Sequence, residues 1–212
     1  MKAPRLLLRV HVKEVILERI LSGEYEPGER LVETRLAREF ETSQVPVREA
    51  LRDLESLRLV ESEPFRGARV RKVSRQELVE IYPIRSAIEE VAVRQATIEL
   101  DGHVRELELH LVAMEKAAGE GDRHEQVRSD VAFHQTIVDA SGNAILGEVW
   151  RSLRIEGRTM ITTLRTGIKL EEIAAIHEPI LRAIRVKDPD AAAAAMRRHF
   201  DALGSLLEER DI

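Results

Sequence analysis

The spacing of apolar residues over the first 75 positions predicts three short helices and a hairpin. In the first segment, Val12, Ile16 and Ile20 recur at the spacing of one helical face. Further along, apolar and basic residues alternate as they do in a half-exposed strand, and Gly67 marks the turn before them. The predicted helices cover residues 11–21, 32–40 and 46–57, and the predicted strands cover residues 58–60 and 68–73. Three helices followed by a hairpin predict a winged helix-turn-helix.

From Ser74 onward the pattern is helical throughout. Ser74 and Glu77 form a capping-box pattern that opens a helix reaching to about Leu100. Glycine and proline breaks separate the further predicted helices, which cover about residues 102–119, 122–140, 143–166, 169–186 and 188–209. Such short connections favour antiparallel neighbours. The predicted fold class is therefore mostly α, with an N-terminal winged helix-turn-helix over residues 1–75 and a C-terminal all-α antiparallel bundle of about six helices over residues 76–212.

Composition narrows the class of protein further. The chain of 212 residues contains no cysteine, which excludes disulfide scaffolds, thiolate zinc fingers, iron–sulfur clusters and cysteine nucleophiles. The cytoplasm, a reducing compartment, is therefore the expected location. No apolar run approaches the roughly 20 residues that a membrane helix needs. The N-terminal residues also lack a signal-peptide pattern, so no membrane partner is expected.

Charge is distributed unequally along the chain. The net charge of −5 argues mildly against a nucleic-acid partner. However, residues 1–75 carry 16 Lys and Arg against 13 Asp and Glu, whereas residues 76–212 carry 17 against 25. Such an asymmetry indicates that one part faces nucleic acid and the other has different duties, provided that a motif supports it.

The third predicted helix carries arginines in the pattern of a DNA-recognition helix. Arg48 and Arg52 are four residues apart and project from one face, from which arginine can bind guanine in the major groove. Ser43 can bind a phosphate. The alternative is that the arginines are solvated charges paired with nearby acids. The candidate DNA-binding residues are Arg35, Arg38, Ser43, Gln44, Arg48, Arg52, Arg66 and Arg69.

Three stretches of this region resemble the GntR family of bacterial transcription regulators. They are Tyr25-Glu-Pro-Gly-Glu-Arg-Leu31, Leu36-Ala-Arg-Glu-Phe40 and Ser43-Gln-Val-Pro-Val-Arg-Glu-Ala-Leu51. The resemblance continues to about residue 208, where the chain is similar to the all-helical ligand-binding domain of the FadR-type branch, the FCD domain. Two positions depart from the family: Gln44 stands where an arginine is usual, and Arg58 stands where a glycine is usual. Gln44 suits adenine better than guanine, so an operator inferred from relatives cannot be carried over.

Four residues of the second part have the chemistry of a metal site. Asp130 and His134 are four residues apart, so on a helix they share one face and can bind one ion. His177 and His199 lie in two later segments that are rich in small and apolar residues. Each could instead be an ordinary structural histidine. Imidazole and carboxylate donors without thiolates suit Zn²⁺, Ni²⁺, Mn²⁺ or Fe²⁺.

The resemblance assigns a role to these four residues. One large subgroup of FadR-type ligand domains binds a metal through an Asp-x3-His pair and two later histidines. Asp130, His134, His177 and His199 match those positions one by one. The resemblance therefore implies a divalent metal ion, with Zn²⁺ as the expected one, and a small carboxylate effector that completes its coordination.

Arginines are the candidates for binding that effector. Arg85 lies in an apolar helical segment and matches an arginine that is common in this domain. A buried guanidinium would bind a carboxylate through two hydrogen bonds. The alternative is a salt bridge to Glu89, four residues later. Arg154 and Arg158 are predicted to share one helix face and are further candidates.

The function implied by the resemblance is a DNA-binding transcription regulator. It would act as a homodimer on a palindromic operator in double-stranded DNA, and effector binding would relieve repression. The alternative from another class is an enzyme, a metal-dependent hydrolase or oxygenase that uses the Asp/His cluster. Such an enzyme usually needs a separate general base, and none stands at a useful spacing, so catalysis is not expected.

Overall fold

The computed structural model describes residues 5–63, 67–72, 74–155, 158–159, 163 and 169–208. The chain divides into two compact units, Met1–Val73 and Ser74–Ile212. Within the described residues, no helix is both long enough and apolar enough to cross a bilayer.

The first unit contains three helices and a small antiparallel sheet. Its elements in chain order are α1 (Arg5–Ser22), β1 (Arg30–Leu31), α2 (Glu33–Glu39), α3 (Gln44–Ser56), β2 (Val60–Glu63) and β3 (Gly67–Val70). The strand order is β1-β3-β2, with Arg30 opposite Arg69 and Val60 opposite Val70. The winged helix-turn-helix prediction is confirmed. The two-residue strand β1 was not predicted, because it is too short to show an alternating pattern.

Helix α3 has one buried face and one exposed face. Pro46, Val47, Ala50, Leu51 and Leu54 are buried, and α1 packs against the same helix. Pro46 falls in the first turn, where its missing N–H costs no hydrogen bond. The burial of these residues fixes the rotation of α3, which leaves its other face in solvent.

Arg58, just after α3, has a backbone φ of 62°. This left-handed conformation is the usual end of a helix and favours glycine, because a Cβ atom is disfavoured there. A glycine, which the resemblance implies at this position, would adopt the same conformation without that cost.

The second unit is entirely helical in its described residues. Its helices are α4 (Arg75–Leu100), α5 (Arg105–Glu120), α6 (Arg123–Ala140), α7 (Ala144–Ser152), α8 (Leu170–Ala175), α9 (Glu178–Arg185) and α10 (Pro189–Glu208). Ser74 caps α4 by accepting a hydrogen bond from the backbone N–H of Glu77, as predicted. Helix α4 packs against α10 and α6, and small buried residues such as Ala92, Ala96 and Ala192 allow close approach.

Two of the predicted helices differ from the structure. The helix predicted over residues 143–166 is broken after Ser152, where Arg154 has a left-handed φ of 50°, and the described residues 155, 158, 159 and 163 are helical again. The helix predicted over residues 169–186 is interrupted at Ile176 and His177. Pro179 explains the second break, because it has no N–H to donate to the preceding turn. The first break has no glycine or proline to signal it.

Candidate functional site

Helix α6 presents a row of buried polar side chains to the centre of the second unit. Gln126, Asp130 and His134 are spaced four residues apart, and none has more than 4% of its surface exposed. Buried polar groups need partners, and the side chains of this row have theirs on other elements: Gln126 at Leu170, Asp130 at His177 and His134 at Glu89.

Two further histidines complete the cluster. His177 lies at the break between α8 and α9, and His199 lies on α10. The ligand nitrogens of His134, His177 and His199 all lie within 4.8 Å of one another, and all three side chains are buried. The structure therefore brings together the three histidines that the sequence analysis singled out.

Asp130 joins the cluster through His177. The Nε2 atom of His177 lies 3.2 Å from Oδ1 of Asp130. The Nδ1 atom of the same ring lies 2.8 Å from the carbonyl oxygen of Ile173. A carbonyl only accepts, so Nδ1 carries a proton and Nε2 is the ring atom that faces Asp130. Nε2 and Oδ1 are thus placed to bind a cation between them.

Other nitrogens of the cluster also lack partners. Nε2 of His134 and both ring nitrogens of His199 are buried without a hydrogen bond among the described residues. Burial, followed by the charges of His177, His134 and Arg85, lowers the pKa of His199 well below its usual value. The ring is therefore neutral, which is the form that binds metals. Three imidazoles and one carboxylate, all buried, are a donor set that fits a divalent transition metal.

Glu89 on α4 is a buried carboxylate beside this cluster. Its Oε2 lies 2.5 Å from Nδ1 of His134. Its Oε1 accepts hydrogen bonds at 2.9 Å from Nε of Arg85 and from the indole N–H of Trp150. Burial by itself would raise the pKa of Glu89, but Arg85 and His134 outweigh burial and lower the pKa to about 2. Glu89 is therefore ionised at neutral pH.

Arg85 was considered either as a buried carboxylate-binding residue or as the salt-bridge partner of Glu89, and the structure has features of both. It forms the predicted salt bridge to Glu89, and it is buried, with 3% of its surface exposed. The guanidinium also lies over the ring of Phe200, with its central carbon 4.7 Å from the ring centroid. Its Nη2 atom has no hydrogen-bond partner among the described residues. Nη1 donates to the hydroxyl of Thr159 at 3.5 Å, so Nη2 is the donor of Arg85 that remains without an acceptor among the described residues.

The other two effector candidates lie elsewhere. Arg154 is exposed at the break after α7, where its left-handed φ removes it from the helix face that it was predicted to share with Arg158. Arg158 is partly buried, and its Nη2 lies 3.5 Å from Oε1 of Glu77. The structure therefore joins Arg85, but not Arg154, to the buried cluster.

In the first unit, the exposed face of α3 carries the predicted recognition residues. Gln44, Arg48 and Arg52 are all exposed and stand at four-residue spacing, so they form one face. Ser43 precedes the helix and its side chain makes no capping hydrogen bond. This face has the residue types that contact base edges and phosphates.

Several arginines of this unit pair with carboxylates at the surface. Arg48 binds Glu33 of α2 through Nε and Nη2, with its Nη2 atom 2.7 Å from Oε2. Arg69 on β3 binds Glu61 across the hairpin at 2.8 Å. Arg35 lies 3.4 Å from Glu29, and Arg38 is exposed on α2. Arg66 lies outside the described residues.

Models of known protein families match both units. The model described as bacterial regulatory proteins of the gntR family matches residues 8–70, and the FCD domain model matches residues 80–202. The chain belongs to the GntR family. The predicted resemblance and fold class are thereby confirmed for this GntR-family regulator.

Some of the proteins to which the regulator is similar are named as repressors of a sugar or gluconate operon. The probable D-xylose utilization operon transcriptional repressor of Paenarthrobacter nicotinovorans is 37% identical over 90% of this chain and 84% of its own length. The gluconate operon transcriptional repressor of Bacillus licheniformis is 31% identical over 90% and 81%. The solved structure of Escherichia coli McbR/YncC has a TM-score of 0.71 at 25% identity and covers 99% of both chains. These relatives are transcription regulators rather than enzymes, so the prediction against catalysis is confirmed.

Two buried polar residues of the GntR-family regulator were not predicted as site residues. Gln126 donates from Nε2 to the carbonyl of Leu170, at 3.3 Å, while its Oε1 has no partner among the described residues. Its four-residue spacing from Asp130 could have indicated it. Glu89 was considered only as a partner of Arg85, because no sequence pattern connects α4 with His134 or Trp150.

Proposed function

We propose that this GntR-family regulator is a homodimeric repressor of transcription. Its helical unit would bind a divalent metal ion and a small carboxylate effector, and effector binding would lower the affinity for a palindromic operator. Three findings support this proposal. The chain belongs to a family of DNA-binding regulators, and the first unit has an exposed helix face that carries arginines. In the second unit, several of the described buried nitrogens have no hydrogen-bond partner.

The single observation that carries the metal is the cluster of His134, His177 and His199, whose buried ligand nitrogens lie within 4.8 Å of one another. Nε2 of His177 also lies 3.2 Å from Oδ1 of Asp130, and these nitrogens have no hydrogen-bond partner among the described residues. A bound cation would take them as ligands and remove the free-energy cost of burying them without a partner. The proposed ligands are Asp130, His134, His177 and His199. When bound, a divalent ion supplies positive charge and open coordination positions for a carboxylate.

The proposed effector contact is Nη2 of Arg85, which has no hydrogen-bond partner among the described residues. A buried guanidinium with an unsatisfied donor favours an anion, since a charge-assisted hydrogen bond would satisfy that donor. The names of two relatives refer to gluconate and D-xylose operons, which puts sugar acids first among the small carboxylates to test. Arg158 is a second candidate contact, and Arg154, being exposed, is a weaker one.

The proposed DNA contact is the exposed face of α3, with Arg48 at base edges and Ser43 at a phosphate. Gln44 and Arg52 extend that face, and Arg35, Arg38, Arg66 and Arg69 would add phosphate contacts. A two-fold dimer would place two such faces on the half-sites of a palindrome.

A stripe on α4 supports the homodimer. Ile84, Val91 and Ile98 are spaced by seven residues and are 48%, 56% and 59% exposed. Seven residues are two helical turns, so the three side chains form one apolar line along the helix. We assign a second copy of the chain as its occupant, because an isologous contact lets a single stripe pair with itself.

A metal-dependent screen tests the proposed function. Sugar acids and small mono-, di- and tricarboxylates are added to Zn²⁺-loaded and to metal-stripped protein, and melting temperature and binding to a selected DNA duplex are measured. The expected hit stabilises only the loaded protein and weakens its DNA binding, because a ligand acts through different affinity for two states. His134→Ala should lose metal and effector response but keep DNA binding, with His103→Ala as the matched control. Full response in His134→Ala would contradict the metal role.

A further inference from the structure

Glu89 receives three donors from three different elements. Arg85 lies on its own helix, one turn earlier; His134 lies on α6, and Trp150 lies on α7. The side chain of Glu89 is completely buried. A buried carboxylate is stable only when donors occupy its oxygens, so these contacts hold it in a single position.

The contact with His134 determines which nitrogen of that ring is free. An ionised carboxylate only accepts, so the Nδ1 atom of His134 must carry the proton that faces Glu89. In the neutral ring, which is the form that binds metals, Nε2 then has the lone pair, and this atom has no hydrogen-bond partner among the described residues. A carboxylate behind a histidine in this way orients the ring and increases its basicity toward a metal.

The other oxygen of Glu89 holds the proposed effector contact. Oε1 accepts from both Arg85 and Trp150, so the carboxylate cannot rotate without losing one of them. An anion that drew the Arg85 guanidinium away from Glu89 would therefore disturb the carboxylate that orients His134.

We propose that Glu89 is a positioning residue that links the effector-binding Arg85 to the metal-binding His134. This inference rests on the proposed metal and effector function. It adds a specific set of contacts by which metal binding and effector binding depend on each other. These contacts run from Nε of Arg85 through the Glu89 carboxylate to Nδ1 of His134.

Zn²⁺ affinity tests the positioning role. In Glu89→Gln the amide oxygen is expected to remain on Arg85 and Trp150, which leaves the NH₂ group facing His134. Nδ1 must then accept, the proton moves to Nε2, and that atom can no longer bind a metal. Competition with a chromophoric chelator should show a loss of about 10–100-fold in Zn²⁺ affinity. The matched control is Glu90→Gln on the same helix, whose carboxylate pairs with Arg197 and which should keep wild-type affinity.

A double-mutant cycle tests the link to Arg85. If Arg85 acts on the metal through Glu89, then Arg85→Gln lowers Zn²⁺ affinity in the wild-type background and has no further effect in Glu89→Gln. Independent, multiplicative losses would overturn the link. Circular dichroism of each metal-free variant identifies any that fails to fold.

The tautomer of His134 can be measured in the wild-type chain, so this test does not depend on whether a variant folds. Long-range ¹H–¹⁵N spectra of the metal-free protein, labelled with ¹⁵N at histidine, report the tautomer of each ring. The expected result is a proton on Nδ1 of His134, whereas a proton on Nε2 would overturn the proposal. The chain has a single tryptophan, so Zn²⁺ should also change the fluorescence of Trp150.

The outcomes separate this proposal from the function on which it rests. If wild type binds Zn²⁺ and Glu89→Gln binds it equally well, the positioning role is wrong and the metal site stands. If wild type itself binds no Zn²⁺, the proposed function fails first, and the positioning proposal falls with it.

Discussion

The two units of the chain use charged and polar side chains in opposite ways. In the first unit, Arg48 has half of its side chain exposed and is paired with a partly exposed carboxylate, Glu33. In the second unit, the side chains of His134 and Glu89 are completely buried in contact with each other. The first arrangement leaves its groups in water, whereas the second removes them from water and leaves several nitrogens without a partner.

This difference in solvation determines what each unit can bind. An exposed ion pair contributes only about 0–1 kcal/mol, so Arg48 can exchange Glu33 for a nucleic-acid acceptor at little cost. A buried nitrogen without a partner costs about 1–3 kcal/mol, and only a ligand that reaches it recovers this free energy. The first unit is therefore suited to an exchangeable polyanion, and the second to a tightly held ion.

The largest expected contrast is in salt dependence. A protein that makes 6–10 phosphate contacts loses about 10³–10⁵-fold in DNA affinity between about 50 and about 200 mM salt, because releasing counterions gains less free energy when the bulk salt concentration is higher. Zn²⁺ affinity over the same range should change little, since buried charges are screened weakly. Fluorescence anisotropy with a labelled duplex measures the DNA affinity, and competition with a chelator measures the Zn²⁺ affinity. Equal salt dependence would contradict the contrast between the units.

The next expected effect concerns the apolar stripe that would join two copies. Val91→Glu places a charge at its centre and should produce a monomer by light scattering. Losing the second half-site contact should weaken binding to a palindromic duplex by about 10²–10⁴-fold, the usual gain from bivalency. The control is Val186→Glu, which changes a valine outside the stripe that is even more exposed, at 66%. A dimeric Val91→Glu protein would assign the dimer contact to another surface.

Metal removal should affect only the second unit. Zn²⁺ at about 100 times its Kd stabilises the folded protein by about 2.7 kcal/mol, which raises the melting temperature by about 5–10 °C for a chain of this size. A chelator should reverse the shift while DNA affinity without effector stays the same. His177→Ala should remove the shift, and His103→Ala, on an exposed ring, should keep it. A Zn²⁺-independent melting temperature would mean that the cluster binds no metal.

A smaller effect is expected at α3, the proposed DNA-contacting helix. Arg48→Ala should cost about 1–3 kcal/mol in affinity for a selected duplex and should relax the preference at one base position. The Lys116→Ala change removes an exposed cation from the second unit and serves as the control. Titration of matched and singly substituted duplexes measures both quantities. If the substitution weakens all duplexes equally, Arg48 contacts phosphate rather than a base.

The sequence was a better guide to ligand types than to the contacts that organise them. Asp130 and His134 were predictable because helical spacing alone places them on one face. His177 and His199 could be assigned only through a family resemblance, since their approach depends on the packing of α8, α9 and α10. Glu89 could not be predicted as a partner of His134, because the two residues are 45 positions apart and no local pattern connects them.

The boundaries of two helices also could not be predicted from the sequence. Pro179 is a clear stop signal for α8, yet the pattern of apolar residues continues through it and predicted one helix instead of two. The end of α7 depends on a left-handed arginine, Arg154, a conformation that the residue type does not favour. Tertiary packing, which the sequence does not display, fixes that boundary.

The smallest expected effect concerns Glu33, the carboxylate that Arg48 would leave when it binds DNA. Glu33→Gln removes its carboxylate partner, so affinity for any duplex should rise by a few-fold, in line with an exposed pair worth about 0.2–1 kcal/mol. Discrimination between selected and scrambled duplexes should fall, because Glu33 holds the Arg48 guanidinium through two nitrogens. Glu29→Gln, which removes a carboxylate from Arg35 instead, should raise affinity without loss of discrimination. If both variants discriminate equally, Glu33 acts as a surface charge alone, and the orientation of Arg48 must come from DNA itself.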